Sequence, residues 1–233
     1  MLFVFIHGWG SHPGSYAESL DAIRRLGCQV YAPTLPGHAG IPMLPRGEQS
    51  LAHIAEQLES EILDASDGRH IVLSGHSLGG AVCTLLCERL SEKGVDVSLL
   101  LLSSTGANPK FGPRQWARAL TDLLQPRPHG RRKVSRFRPG TELVHTFRTR
   151  RIGWEARCMD LMTRWKGLID QGLSVTAVHA LDDRVVDTSP LMSVPGAQTI
   201  TVFRPHDWPV WDPAVFEIAA SQHLTSVKKT HVC

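Results

Sequence analysis

The sequence predicts an α/β fold: a mostly parallel sheet of about six strands with helices on both faces. Short apolar runs read as buried strands, apolar residues recur at helical spacing between them, and the two patterns alternate along most of the 233 residues. Residues 2–6 form a continuous apolar run, as a parallel strand covered on both faces requires. Residues 16–26 place Ala17, Leu20, Ile23 and Leu26 on one helical stripe, with Ser15 as the expected N-cap and Gly27 as the stop. A second strand is expected at 29–32, then the turn-rich stretch 33–47, then a helix at 51–63 carried by Ile54, Leu58 and Ile62. Strands follow at 71–73, 97–102, 174–178 and 199–203, and helices at 78–90 and 214–224. Such alternation implies right-handed crossovers between parallel strands.

The pattern breaks between residues 106 and 172. Pro109, Pro113, Pro126, Pro128 and Pro139 punctuate this stretch, helices are expected only at 115–124 and 155–169, and no strand is visible. The expected organisation is therefore a core made of 1–109 and 167–233, interrupted by a helical lid insertion at 110–166. Charge marks the same segment: it holds 15 Lys and Arg against four acids, a net +11, and leaves the rest of the chain at −8. A solvated Arg-rich surface accounts for such a run, and so does a face turned toward an anion. No helix-turn-helix, zinc-finger spacing or RNA-binding signature accompanies it, so nucleic acid is not an expected partner.

With 42% hydrophobic and 20% charged residues the composition is that of a packed globular chain and excludes disordered and collagen-like classes. No apolar run approaches the roughly 20 residues needed to cross a bilayer, so no membrane span is expected. The opening run carries no basic leader and reads as a strand rather than a signal peptide. Five cysteines, an odd number, suit free thiols in a reducing compartment, so the expected location is cytoplasmic. Cys83 and Cys87 lie four apart without partner pairs nearby and read as core packing; no metal site is expected.

One motif carries the chemistry. The strand ending at Ser74 runs into Gly75-His76-Ser77-Leu78-Gly79-Gly80 and then into an apolar helix, the order of strand, sharp turn and helix that a nucleophile elbow needs. Ser77 must sit in a strained turn, and Gly75 and Gly79 keep side chains clear of it. A serine hydroxyl is a weak nucleophile at neutral pH and needs a histidine base and an acid to orient that base. Of twelve histidines, His206 follows the last expected strand by a few residues, where a loop reaches back over the sheet edge. The acid belongs to the loop after the preceding strand, which offers Asp182, Asp183 and Asp187, and spacing does not choose among them. Acyl transfer also needs two N–H groups aimed at the oxyanion: Leu78 supplies one, and Trp9, in the small-residue turn His7-Gly8-Trp9-Gly10, supplies the other. His7 is expected to brace that turn.

In these residues, together with Leu35-Pro36-Gly37-His38 and Asp183-Arg184-Val185-Val186, the chain resembles the α/β-hydrolase superfamily, whose motifs it carries in the family's order. The resemblance covers nearly all of the chain outside the lid. It implies an α/β-hydrolase fold, from which this chain is expected to depart by lacking the usual N-terminal hairpin, with Ser77 as nucleophile, His206 as base, Asp183 as acid with Asp182 as the alternative, and Trp9 and Leu78 as the oxyanion hole. Within the superfamily the chain is most similar to carboxylesterases acting on pimeloyl-acyl-carrier-protein methyl ester, which share a His-Gly-Trp-Gly loop and a basic helical lid. Thr34 stands where the family often has Asp, and Pro205 where it usually has Gly.

The function expected from these residues is a cofactor-free carboxylic ester hydrolase, a serine esterase or thioesterase. Trp154, Trp165, Leu161, Met162 and Leu168 read as a packed helix face that also suits an acyl chain. Trp9 and the guanidinium groups of Arg131, Arg132 and Arg136 are the expected substrate contacts, the arginines meeting a carboxylate, a phosphate, acyl carrier protein or another acidic partner at the lid. An acyltransferase, amidase, lactonase or C–C hydrolase would use the same triad, and a noncatalytic ligand-binding member of the fold would keep the pocket alone.

Overall fold

The computed structural model of the protein describes residues 1–106, 149–186 and 189–230. The helix expected at 115–124, most of the expected lid, Arg131, Arg132, Arg136 and Asp187 lie outside the described residues.

Six strands, β1 (Leu2–Ile6), β2 (Gln29–Tyr31), β3 (Ile71–His76), β4 (Val97–Leu102), β5 (Val175–Ala180) and β6 (Gln198–Val202), form one sheet in the order β2-β1-β3-β4-β5-β6. Every neighbouring pair is parallel. The helices are α1 (Ala17–Arg25), α2 (Leu51–Ser66), α3 (Leu78–Glu92), α4 (Arg150–Cys158), α5 (Leu161–Asp170), the single turn α6 (Trp208–Trp211) and α7 (Pro213–Thr230). Side chains alternate across the sheet as its pleat requires. On one face Leu2, Val4, Ile6, Leu73, Leu99 and Leu101 pack under α2, α3, α4 and α5. On the other, Phe3, Phe5, Val72, Leu100 and Leu102 pack under Tyr16, Trp208 and α7, through Phe216, Ala219 and Ala220.

Two helices differ from the sequence expectation. Pro13, with its fixed φ, opens a 3₁₀ turn at Pro13–Tyr16 ahead of α1. Ser15 therefore lies inside that turn and not at the N-cap; α1 starts at Ala17 behind Tyr16, with no side-chain cap. The helix expected at 155–169 is two helices. Met159 is extended (ψ 131°), and the Asp160 carboxylate accepts the Thr163 amide at 3.2 Å, capping α5 in place of continuing α4. α5 joins the core: Trp165 is buried and its Nε1–H donates to Thr84 Oγ1 of α3 at 2.8 Å, whereas Trp154 is exposed. Cys83 and Cys87 are buried in α3, where burial pushes both thiols up, and no group of three metal-ligating side chains exists among the described residues. No helix of the described residues is long and apolar enough to cross a membrane.

At the N-terminal end of the strands a buried polar chain ties sheet to helix. Ser98 Oγ lies 2.9 Å from His70 Nε2 and 3.0 Å from His223 Nε2, and His223 Nδ1 lies 2.7 Å from Thr176 Oγ1. Asp96 pairs with His70 at 2.8 Å, so this cluster repeats the residue types of a triad at the wrong end of the sheet, with Ser98 sealed from solvent. Its role is to fasten α7 to β4 and β5.

Three histidines are held neutral by burial. His7, His76 and His223 are each lowered to about 3, with burial the largest cause in every case. The unfolded chain protonates all three near their ordinary value of about 6.5, so unfolding at pH 5 takes up about three protons. Stability is accordingly full above pH ~6.5 and falls as pH drops toward ~3, with a slope of about 4 kcal/mol per pH unit in mid-window from these groups. Urea titrations between pH 7.5 and 4.5 are expected to show that decline; a free energy of unfolding independent of pH over this range would contradict it.

Candidate active site

The site gathers at the C-terminal ends of the strands. From β1 the chain goes to β2 on one side and then to β3 on the other. The β1–β3 boundary is thus a topological switch point, where α/β sheets open a crevice. The turn after β1 carries Trp9, the turn after β3 carries Ser77, the loop after β5 carries Asp183 and the loop after β6 carries His206.

Ser77 adopts φ 53°, ψ −117°, a left-handed conformation that a residue with a side chain enters only under constraint. Close packing supplies the constraint. A Cβ on Gly75 would sit 2.3 Å from the Gly79 carbonyl oxygen, one on Gly79 2.0 Å from that of Ile6, and one on Gly80 2.1 Å from Ser104 Oγ. α3 therefore starts directly against β1 and β3 and leaves Ser77 in the bend. Four hydrogen bonds hold the bend: the Ser77 amide donates to Leu102 O (3.1 Å), and its carbonyl accepts from the amides of Gly80 (3.0 Å) and Thr105 (3.2 Å) and from the Thr105 hydroxyl (3.3 Å). The sequence assigned tasks to Gly75 and Gly79; Gly80, adjacent in the motif, and Thr105, for which no local signal exists, complete the clamp.

Asp183 and His206 are brought together. The His206 Nδ1–H donates to Asp183 Oδ2 at 2.8 Å, and Asp183 Oδ1 accepts the amides of Val185 and Val186, each at 2.9 Å. The Asp183 side chain is 1% exposed. Burial alone would raise its pKa; the facing His206, through charge and hydrogen bond, and the two amides outweigh it and hold the carboxyl below its ordinary value. Asp182, one residue earlier, is exposed to solvent. Of the two carboxylates of this loop that are described, Asp183 meets the histidine. With Nδ1–H committed to Asp183, the neutral imidazole keeps its lone pair on Nε2, the atom a general base needs. Pro205 stands before His206, and the turn continues through the Trp208 amide, which donates to Pro205 O at 3.2 Å. The half-buried Arg157 of α4 donates to Val185 O at 2.9 Å; burial lowers it to about 10 while the Asp183 charge works the other way.

The turn after β1 is braced as expected. His7 donates from Nδ1 to Gly8 O (2.9 Å) and accepts the Leu35 amide on Nε2 (3.0 Å), spanning the His7-Gly8-Trp9-Gly10 and Leu35-Pro36-Gly37-His38 turns. Among the described residues neither the Trp9 nor the Leu78 amide donates to a protein acceptor, and Leu78 opens α3, where the helix dipole favours negative charge. The Trp9 indole turns to α4: its Nε1–H donates to Thr149 Oγ1 at 2.6 Å, and its ring lies against Gly153. The side-chain network of Tyr16 and His76 beneath the site carries no sequence signal beyond the residue types.

Comparison with known proteins agrees with this fold. The model of the alpha/beta hydrolase family matches residues 3–220. A pimeloyl-[acyl-carrier protein] methyl ester esterase of Chromobacterium violaceum is 28% identical over 121 residues, 52% of this chain and 44% of that protein, so the aligned stretch spans less than half of that relative. Among solved structures, a carboxylesterase of Nitrososphaera gargenis superposes with a TM-score of 0.70 at 15% identity, covering 98% of this chain and 91% of that one. A membrane phospholipase A described as a bacterial virulence factor gives 0.76 at 19% identity, covering 97% and 79%. At such identities the superpositions speak for the fold. With its motif order, its six-stranded parallel sheet and a family match running nearly end to end, this chain belongs to the alpha/beta hydrolase family.

Proposed function

We propose that the protein is a serine hydrolase that cleaves a carboxylic ester or thioester through an acyl-enzyme on Ser77. The observation that carries this reading is the 2.8 Å His206–Asp183 hydrogen bond, formed by two loops beside the elbow that bears Ser77. In this reading His206 Nε2 takes the Ser77 proton as Oγ attacks the acyl carbonyl, and the Trp9 and Leu78 amides receive the charge that develops on its oxygen. His206 then returns the proton to the leaving alcohol or thiol, and a water activated in the same way releases the acid. Asp183 keeps the imidazole in the tautomer that leaves Nε2 free. The relative from Chromobacterium violaceum, an esterase by name, supports the reaction class.

For the substrate we infer an anionic or carrier-borne acyl group. The net +11 on residues 110–166 supports this, with Arg131, Arg132 and Arg136 as the groups that would meet a carboxylate, a phosphate or the acidic surface of an acyl carrier protein. Trp9, reaching from the oxyanion turn to α4, would border the acyl chain.

Ser77→Ala is expected to abolish hydrolysis of short p-nitrophenyl esters and covalent labelling by a fluorophosphonate; residual turnover at the wild-type level would exclude the mechanism. Asp183→Asn is expected to lower kcat by about a thousandfold or more, because the amide favours the wrong tautomer, while Asp182→Asn stays within about twofold. The reverse ranking would move the acid to Asp182. Charge reversal at Arg131, Arg132 and Arg136 together is expected to weaken turnover of an acyl thioester on an acidic carrier at least about tenfold and to spare a neutral short ester. Equal loss on both substrates would remove the carrier from the proposal.

A further inference from the structure

His76, the residue before Ser77, lies under the site and touches both of its halves. It is the last residue of β3, 4% exposed, and its ring centroid lies 4.9 Å from that of His206. Its Nε2 is 2.9 Å from the main-chain carbonyl oxygen of His206, and its Nδ1 is 2.8 Å from the hydroxyl of Tyr16. The Tyr16 hydroxyl, itself buried, lies 3.3 Å from the amide of Gly8, in the turn that carries Trp9. Gly8 also rests directly on the imidazole: a Cβ there would be 3.0 Å from His76 Nδ1.

The proton arrangement of this chain is forced. A carbonyl oxygen only accepts, so His76 carries its hydrogen on Nε2 and donates to His206 O. The neutral ring then has a lone pair on Nδ1, so the Tyr16 hydroxyl donates to it, and the phenol oxygen is left to accept the Gly8 N–H. The opposite tautomer would place a lone pair of Nε2 against the carbonyl at 2.9 Å. A second proton on the ring is opposed by burial, which lowers His76 to about 3 and keeps the imidazole neutral. Donation thus runs one way throughout, from Gly8 N–H through Tyr16 O–H and His76 Nε2–H to His206 O.

Resting on the serine-hydrolase reading above, we infer that His76 and Tyr16 are positioning residues, joining the loop of the base to the oxyanion turn through Gly8 N–H, Tyr16 O–H, His76 and His206 C=O. His206 is held twice. Asp183 fixes its ring, and His76 fixes its backbone, so that ring rotation cannot be exchanged for loop movement. Gly8, one residue before Trp9, is held from the same imidazole, which links the position of the base to that of the oxyanion donor. Both act through the backbone of these two loops.

The test uses Tyr16→Phe, which keeps the ring packed 4.7 Å from Phe5 and removes only the hydroxyl, and His76→Gln and His76→Leu, which keep and remove a donor toward His206 O. Tyr16→Phe is expected to lower kcat about tenfold with KM within about twofold, and to slow fluorophosphonate labelling of Ser77 in parallel. His76→Gln is expected to retain several-fold more kcat than His76→Leu. In the His76→Leu background, Tyr16→Phe should have little further effect, because both act through one chain. A Tyr16→Phe enzyme with wild-type kcat, a Gln variant no better than Leu, or fully additive losses would overturn the inference. Nitrogen-15 NMR of the wild-type protein gives a readout independent of turnover and of variant folding. The neutral Nε2–H tautomer of His76 is expected, and a spectrum of the Nδ1–H form would overturn the inference. Wild type that neither hydrolyses esters nor labels at Ser77 would fail the reading beneath it; wild type that does both beside an unaffected Tyr16→Phe fails this inference alone.

Discussion

The site depends on how closely the start of α3 approaches β1 and β3. Three glycines make that approach possible, because any Cβ at 75, 79 or 80 would overlap a backbone oxygen or the Ser104 hydroxyl at 2.0–2.3 Å. The consequence falls on Ser77, the non-glycine residue in the bend, which takes φ 53°. A left-handed residue with a side chain is held at a cost of order 1–3 kcal/mol, and the surrounding core offsets it. Eleven of the fifteen residues of α3 are buried, so the helix cannot drift away to relax the turn. The same closeness puts the Leu78 amide at a helix N-terminus and brings His76 under Gly8.

Strand order does the rest. Parallel strands share one direction, so every loop that leaves the sheet at its C-terminal edge opens onto the same crevice, and the reversal between β1 and β3 places that crevice beside Ser77. Asp183 follows β5 and His206 follows β6, adjacent strands at the far side, which is why residues 23 apart in sequence meet at 2.8 Å. Polar groups drawn from separate loops then fix one another: His7 links the first two turns, the amides of Val185 and Val186 hold Asp183, and His76 holds the backbone of His206.

Much of this was legible in the sequence because it depends on short-range rules. Buried parallel strands are apolar on both faces, and Gly75-His76-Ser77-Leu78-Gly79 between a strand and a helix admits few geometries. The alternation of elements placed the carboxylate and histidine loops each after a strand, while the sheet order that sets those two strands side by side is seen only in the structure. Helix starts were less legible. Pro13 opens a turn before α1, and Asp160 caps a helix where periodicity alone reads straight through from 155 to 169. The choice between Asp182 and Asp183 was not available from spacing, since it turns on which of two adjacent side chains faces inward. Contacts between residues far apart in the chain, such as Tyr16 with His76, Trp9 with Thr149 and Thr105 with Ser77, have no periodic signature at all.

The proposed chemistry stands on covalent acylation of Ser77. Rapid mixing of the protein with excess p-nitrophenyl ester, quenched in acid within the first turnover and followed by peptide mass mapping, reads that step directly. A burst of p-nitrophenolate approaching one equivalent per chain is expected where deacylation is slow, together with an acyl mass on the peptide containing Ser77. An enzyme that turns the ester over with the acyl group on another residue would contradict it.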